Sequence, residues 1–347
     1  MPVITLLDLV KQHPATLENA IVEETYFNAP LFNKLPSRVI SGTQYRYPKR
    51  TSLPKIGARP INAGAGVHKA NWKTETAECY YYDGRIEMDK ALYDAEPDNK
   101  HLIMADNAKA TIKGTMYGLE QALFYKTPFG IKPLREQLAD YMAISANPAI
   151  KDETAWTAGG TSVWLLHIAD DALRLNWGNR KTLSFGPIHD ESVPKERADG
   201  SMGMMQAKVQ NCNFWLGFEL MNEFAAAVIL NVSAENPLTD EMLAKAVDLF
   251  PESMRPNLIV MNPGARSLLR QSRSRALTYV KGSTKGQSVY AETPTEWDGV
   301  PLLVTDSILA NETPENIAAA VGADAFTVDD LKKKDVALTN PNNKTLV

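Results

Sequence analysis

Between Asp98 and Tyr125 the chain has no proline, and apolar residues recur at three- and four-residue spacings: Ala105, Ala108, Ile112, Met116, Leu119 and Leu123. That period predicts an α-helix from about 98 to 125, ~40 Å long at 1.5 Å per residue. Gly114 and Gly118 fall inside it, each costing about 1 kcal/mol relative to alanine. Their separation by one turn leaves a smooth spot on the helix surface. Upstream, Leu6, Val10, Leu17, Ile21 and Val22 suit short amphipathic helices broken at Pro14.

Alternating and aromatic segments predict strands elsewhere. Tyr45 to Tyr47 and Thr76 to Met88 read as a strand pair. TSVWLLHI opens a β-rich section that continues through TLSFGPI and VQNCNFWLGFELMN, with Trp164, Trp177, Phe214 and Trp215 as aromatic anchors. LTDEMLAKAVDLF reads as a helix with Thr239 as N-cap and Asp240 and Glu241 in its first turn. NLIVMN is a short buried strand, PGARSLLRQSR a helix with Pro263 near its first position, and VPLLVTDSIL a further strand. The basic, Gly/Ser-bearing run Arg270 to Gln287 reads as a mobile loop. A closing strand and frayed tail are expected in the last thirty residues, which mix AAAVGADAF with DDLKKKDVALTNPNNKTLV.

Neither period survives in KRTSLPKIGARPINAGAGVHKANW, residues 49 to 72, where Pro54, Pro60, Gly57, Gly64 and Gly66 are scattered through the run. It carries five Lys and Arg and no acid. Structureless loops of this length are uncommon inside compact domains unless they are functional or disordered. Flanked by the strand pair, the run is the tip of a long hairpin, either solvated or docked on an acidic or polar surface of another molecule. Arg266, Arg270, Arg273, Arg275, Lys281 and Lys285 form a second basic stretch, either a solvated face or a contact for phosphate or a pore.

Composition narrows the function classes. The chain has 347 residues, 44% of them hydrophobic, enough for one large or two ordinary domains with a real core. With 37 basic and 41 acidic residues, the net charge of −4 excludes a general polyanion binder. Cys79 and Cys212 stand apart with no CxxC or His/Cys cluster, so a reducing compartment and no zinc site are expected. No run approaches the ~18 apolar residues of a membrane span, and a soluble protein without secretory processing is predicted.

The templates for catalysis fail. GAGVHKA and GSTKGQS lack the phosphate-loop spacing, no G-x-G-x-x-G follows a strand, and neither G-x-S-x-G nor H-E-x-x-H occurs. Five histidines (His13, His68, His101, His167, His189) are dispersed. His167 or His189 with nearby acids could serve a hydrolase or a metal, but a strand histidine and a solvated turn explain them more simply. Gly159, Gly160 and Ser162 could line an anion site, yet a glycine pair entering a strand is most simply a turn. No catalytic residue, metal or cofactor is expected.

The order of the pieces, rather than any motif, resembles the major capsid protein of tailed double-stranded DNA bacteriophages, in its short-tailed form. The resemblance is carried by ITLLDLVK with AIVEETYFNAPLFNKLP, by YRYPKRTSLPKIGARPINAGAG with its Leu53-Pro54 and Arg59, Ile61, Asn62 elements, and by GGTSVWLLHI, FGPI, DGSM and CNFWLGFEL. NLIVMNPGARSLLRQSR and WDGVPLLVTDSILANET complete it. It implies an α+β fold with an N-terminal arm (1–40), an extended β-hairpin loop (41–90), a peripheral domain with the long helix (91–160), a β-rich insertion (161–235), an axial domain (236–290), and a returning strand of the peripheral domain with a tail (291–347).

The same resemblance implies a structural, non-enzymatic head subunit that self-assembles into pentamers and hexamers of an icosahedral shell around double-stranded DNA. It would be located in the virion capsid, and in the host cytoplasm during assembly. The implied partners are further copies of the chain, a scaffolding protein, a portal protein, a decoration or cement protein and non-specifically packaged DNA, with no membrane. Arg50, Lys55, Arg59, Ile61, Asn62 and His68 would make inter-subunit loop contacts. Arg270, Arg273, Arg275, Lys281 and Lys285 would face a pore or DNA, and Gly114 and Gly118 would act as a helix hinge. An encapsulin-type nanocompartment shell, which resembles the same fold, is the alternative.

Overall fold

A computed structural model describes residues 29–59, 61, 63–95, 100–150, 155–156, 158–183, 185–197, 199–280 and 291–322. Most of the expected arm (1–28), the tail (323–347), Asn62, Lys281 and Lys285 lie outside the described residues.

In chain order the strands are β1 (Ser37–Val39), β2 (Gln44–Arg50), β3 (Trp72–Glu78) and β4 (Tyr80–Asp89). Helices α1 (Lys90–Ala95), α2 (Lys100–Phe124) and α3 (Leu134–Gln137) follow, then β5 (Ala143–Ser145), β6 (Thr161–Leu166), β7 (Leu173–Trp177), β8 (His189–Glu196), β9 (Met202–Leu220) and β10 (Ala226–Val232). The remainder is α4 (Asp240–Val247), β11 (Leu258–Met261), α5 (Pro263–Val280), β12 (Glu296–Trp297), β13 (Val300–Val304) and α6 (Pro314–Val321).

Two larger sheets organise these elements. The six-stranded sheet runs β12-β13-β11-β6-β10-β5. Strands β6, β10 and β11 are buried along their whole lengths and are largely apolar, as expected when both faces of a sheet are covered. The other sheet has the order β1-β7-β9-β4, with β8 also paired to β9. At 19 residues, β9 is long enough to hold β4 along one edge and β8 then β7 along the other. The main core unites both sheets with the C-terminal half of α2; a satellite of Ile86, Met88, Tyr93, Ile103 and Met104 seats its start.

Local signals explain several boundaries. The Thr239 hydroxyl accepts from the Met242 amide at 3.3 Å and caps α4, and Asp240 and Glu241 occupy the first turn. Pro263 is the first residue of α5. Gly160 enters β6 at φ +77°, and a Cβ there would lie 2.9 Å from the backbone of Asn231 and Val232.

Tertiary context departs from the sequence reading in several places. Within α2 Leu119 and Leu123 are buried, but Ala105 is exposed and Ile112 partly so, because the middle of the helix bridges two clusters rather than lying on one core. The run from Arg270 is helical through Val280, not a loop, since Leu268 and Leu269 anchor α5 and carry it onward. TLSFGPI makes only an isolated bridge from Phe185 to Cys212; the strand forms one step later, at β8. Pro314–Val321 is a helix capped by Thr313 that the sequence reading did not assign; most of the last thirty residues, where a closing strand was expected, lie outside the described residues.

Residues 161–235, expected as one β-rich insertion, divide between the sheets: β6 and β10 belong to the six-stranded sheet, and β7, β8 and β9 to the other. The returning strand β13 pairs in parallel with β11, which joins the expected peripheral and axial segments in one sheet.

Candidate assembly interface

Strands β2 and β3 pair in antiparallel register from Gln44↔Glu78 to Arg50↔Trp72, and the ribbon continues one step further through Thr51 N–H donating to the Asn71 carbonyl at 2.9 Å. Beyond that, the described residues between 53 and 70 form no strand or helix. At the mouth, the Arg50 guanidinium lies 4.7 Å from the centre of the Trp72 ring. Among the described residues Arg59 reaches only the Ala63 carbonyl, within its own loop.

The loop's apolar side chains point into solvent. Leu53 is 78% exposed, Ile56 83%, Ile61 92% and Val67 98%. Lys55, Arg59, His68 and Lys69 are exposed among them, with no acid in the segment. Exposed apolar side chains are common singly, but four on one mobile-length tip, rimmed by a single sign of charge, match an interaction surface.

The hairpin root is the opposite: tightly packed and polar. β3 gives way to β4 at Cys79, where the chain crosses β9 at Gly217; a Cβ on Gly217 would sit 2.5 Å from the Glu78 carbonyl oxygen and 3.1 Å from Cys79 Sγ. Tyr45 and Tyr47 stack with ring centres 6.1 Å apart. Arg38 and Arg174 both lie against the Tyr45 ring, at 4.9 and 5.1 Å. The Tyr47 hydroxyl donates to Glu75 Oε2 at 3.0 Å and also faces Glu219. Burial pushes Glu219 up, the Tyr47 hydroxyl far up and the Cys79 thiol up to about 11. Glu75 is held below the usual carboxylate range by Lys73, Tyr47 and Lys49, against the opposing effect of its own partial burial.

Two buried carboxylates lock the rest of the scaffold. Glu120, on the core side of α2, accepts from the amides of Leu31 and Phe32 at 2.9 and 3.1 Å and from the Thr305 hydroxyl. Burial pushes its carboxyl up while these bonds pull it down. Glu312 pairs with Arg135 and accepts from Tyr125 at 2.7 Å and Ser162 at 2.6 Å. Ser162, considered for an anion site, is thereby committed to the core, and Gly160 to the Asn311 side chain and the Glu312 amide.

The structure separates the remaining candidates. Arg273 forks onto the Asp240 carboxylate at 2.6–3.1 Å, and Arg270 Nε donates to the Ala291 carbonyl at 2.8 Å. Both therefore tie α5 to its neighbours, and Arg275 alone of the described three is an exposed guanidinium with no such tie among the described residues. Helix α2 runs through Gly114 and Gly118 without a break in its helical assignment, and a Cβ at Gly114 would meet open space. His167 Nδ1 lies 2.7 Å from the Arg255 carbonyl and His189 sits on exposed β8 beside Glu191 at 3.5 Å. Among the described residues no group of three or more His, Cys, Asp or Glu could hold a metal, and no helix is long and apolar enough to cross a membrane.

Sequence reading did not find Tyr47, Glu75, Arg174 and Glu219 as a cluster, because they come from three distant segments. The one signal was Trp215-x-Gly217, a glycine in mid-strand where another backbone comes close.

Comparison with known proteins gives the family and the fold. The family model described as Major capsid protein GP7 matches residues 38–315. A chain of the bacteriophage Epsilon15 structure derived from cryo-EM and modelling aligns with a TM-score of 0.63 at 14% identity, covering 90% of this chain and 97% of that one. A chain from Mycobacterium phage Adephagia (TM-score 0.39, 11% identity, 62% and 95% covered) and the SrpI encapsulin of Synechococcus elongatus PCC 7942 (0.40, 10%, 62% and 93%) align too weakly to carry an argument. No curated protein matches by sequence.

Proposed function

The chain belongs to the GP7 family of major capsid proteins, and from that premise we propose that its extended loop is the element by which one copy grips the next in a phage head. The α+β fold is that of a phage head subunit, and self-association into the virion shell follows from the family. The observation that carries the proposal is the exposure of Leu53, Ile56, Ile61 and Val67 on a loop with no fold of its own.

Magnitudes assign the roles. Burying four such side chains is worth roughly 1.5–3 kcal/mol each, whereas exposed ion pairs contribute about 0–1 kcal/mol. In this reading the apolar residues, Ile61 among them, supply affinity. Arg50, Lys55, Arg59 and His68, with Asn62, set register against polar or acidic groups of the neighbour. A loop that gains its partners only on assembly is stabilised by assembly, and symmetry multiplies each contact.

The wider assignment is a structural protein without enzymatic activity, forming pentamers and hexamers of an icosahedral shell. A scaffolding protein, a portal, a decoration or cement protein and packaged double-stranded DNA would be its partners, and the host cytoplasm its site of assembly. Arg275, with Lys281 and Lys285, is the set left to face a pore or DNA, and Gly114 and Gly118 are the points where α2 would bend during maturation. Electron microscopy of the expressed chain, alone and with its scaffold, tests the assignment: shells or capsomers are expected, and a persistent compact monomer under both conditions would refute it.

A further inference from the structure

The hairpin root holds more buried polarity than a static joint requires. Arg174 on β7 sits directly across the ladder from Glu219 on β9, and Asn176 across from Gly217. Arg174 is 7% exposed, Asn176 0% and Glu219 5%. Yet Arg174 Nε and Nη2, both ends of the Asn176 amide and Glu219 Oε2 lack hydrogen-bond partners among the described residues. Facing Glu219 from the elements packed against it are Tyr47 of β2, Glu75 of β3, Cys79 at the β3–β4 junction, and Arg174 and Asn176 of β7.

We infer that this cluster is a proton-set joint, in which the extended hairpin is seated firmly on the β7–β9 face while Glu219 carries a proton and loosely when it does not. The stereochemistry turns on a single phenolic hydrogen. Tyr47 has one O–H to give, and Glu75 Oε2 takes it at 3.0 Å. That one hydrogen cannot serve Glu75 and an ionised Glu219 together, so while both are ionised one carboxylate is left facing the lone pairs of the Tyr47 oxygen. A protonated Glu219 can instead donate to that oxygen, completing a chain from Glu219 through Tyr47 to Glu75 that spans all three strands. Arg174 and the Asn176 amide favour the ionised form, but Arg174 is stacked on Tyr45, and its Nε and Nη2 do not close on Glu219 Oε2.

The sign follows from the direction in which burial moves the group. Glu219 is raised in the seated joint and ordinary when the hairpin swings into solvent, so seating is fully favoured below the ordinary carboxylate range. That contribution is lost as pH rises through the raised value. Glu75 is depressed, so its contribution is lost only on acidification below the ordinary range, outside that window.

Hydrogen exchange of the full chain, unassembled, between pH 5 and 8 and corrected for the intrinsic rate, tests the joint on peptides covering 44–50 and 72–78. In the wild type their protection should fall several-fold across the range while β6 and β11 stay constant. Glu219→Gln, which cannot ionise, should hold protection level, and Glu75→Gln should keep the fall. Flat protection in the wild type overturns the inference whatever the variants do, as does an equal fall in Glu219→Gln. Neither result bears on whether the loop grips a neighbouring copy.

Discussion

Gly217 of β9 lies so close beneath Glu78 that a Cβ would stand 2.5 Å from its carbonyl oxygen. The obstacle is backbone, not the far end of a flexible side chain, so the strands must separate to admit even a methyl group. Gly217→Ala is expected to destabilise the unassembled chain by about 1–3 kcal/mol, the usual cost of overpacking, measured as a shift in urea midpoint. It should also raise hydrogen exchange in 72–78 before it affects β6, because the hairpin root absorbs the displacement.

The Arg135–Glu312 pair predicts a larger loss. Their side chains are 13% and 5% exposed, and Arg135 stacks on Tyr125 and Trp156 at 5.0 and 5.2 Å. Removing one partner of a buried pair leaves the other charge uncompensated, at about 3–5 kcal/mol. Glu312→Ala should therefore unfold at distinctly lower denaturant than wild type. It should cost more than Lys245→Ala, which removes the exposed one-turn pair with Glu241.

Both cysteines are buried and neither is in a disulfide, and the Cys79 thiol is pushed up to about 11 by burial and the nearby Glu219 carboxylate. The thiolate is the reactive form, so at pH 7–8 the folded chain is expected to show no fast-reacting thiol. Denaturation should reveal two. Rapid labelling of Cys79 in the native chain would contradict the packing of the hairpin root.

How much of this could be read in the sequence depended on how local its cause was. Thr239, Asp240 and Glu241 specify a helix start within three residues, and the cap formed there. Leu258 to Met261 is apolar without interruption, which is enough for a central strand. Arg270 to Val280 failed because the balance of charge and small residues suggested a loop, while the decisive contacts, Arg273 to Asp240 and Arg270 to the Ala291 carbonyl, come from distant segments. The exposed loop was legible from its missing periodicity and unbalanced charge. Its root was not, since Glu219 meets Tyr47 only once β9 crosses the hairpin.

The two kinds of loop residue separate by experiment. Arg50→Glu, Lys55→Glu and Arg59→Glu together should leave a soluble, folded subunit but impair shell formation, most visibly at low salt, since exposed charges are screened. Leu53→Ser, Ile56→Ser and Ile61→Ser should leave the urea midpoint of the subunit within about 0.5 kcal/mol of wild type, as expected for exposed positions. Their effect on assembly should be the stronger and persist at high salt, read by sedimentation of the assembled fraction. Normal shells from both triple variants would remove the loop from the assembly mechanism.

A cryo-EM map of the assembled particle, resolved well enough to trace residues 51–71, tests the central claim most directly. The expected map places Leu53, Ile56 and Ile61 against an adjacent copy, with Arg59 within hydrogen-bond reach of that copy's polar groups. A loop projecting into solvent, or folded back on its own subunit in every symmetry-distinct copy, would contradict it.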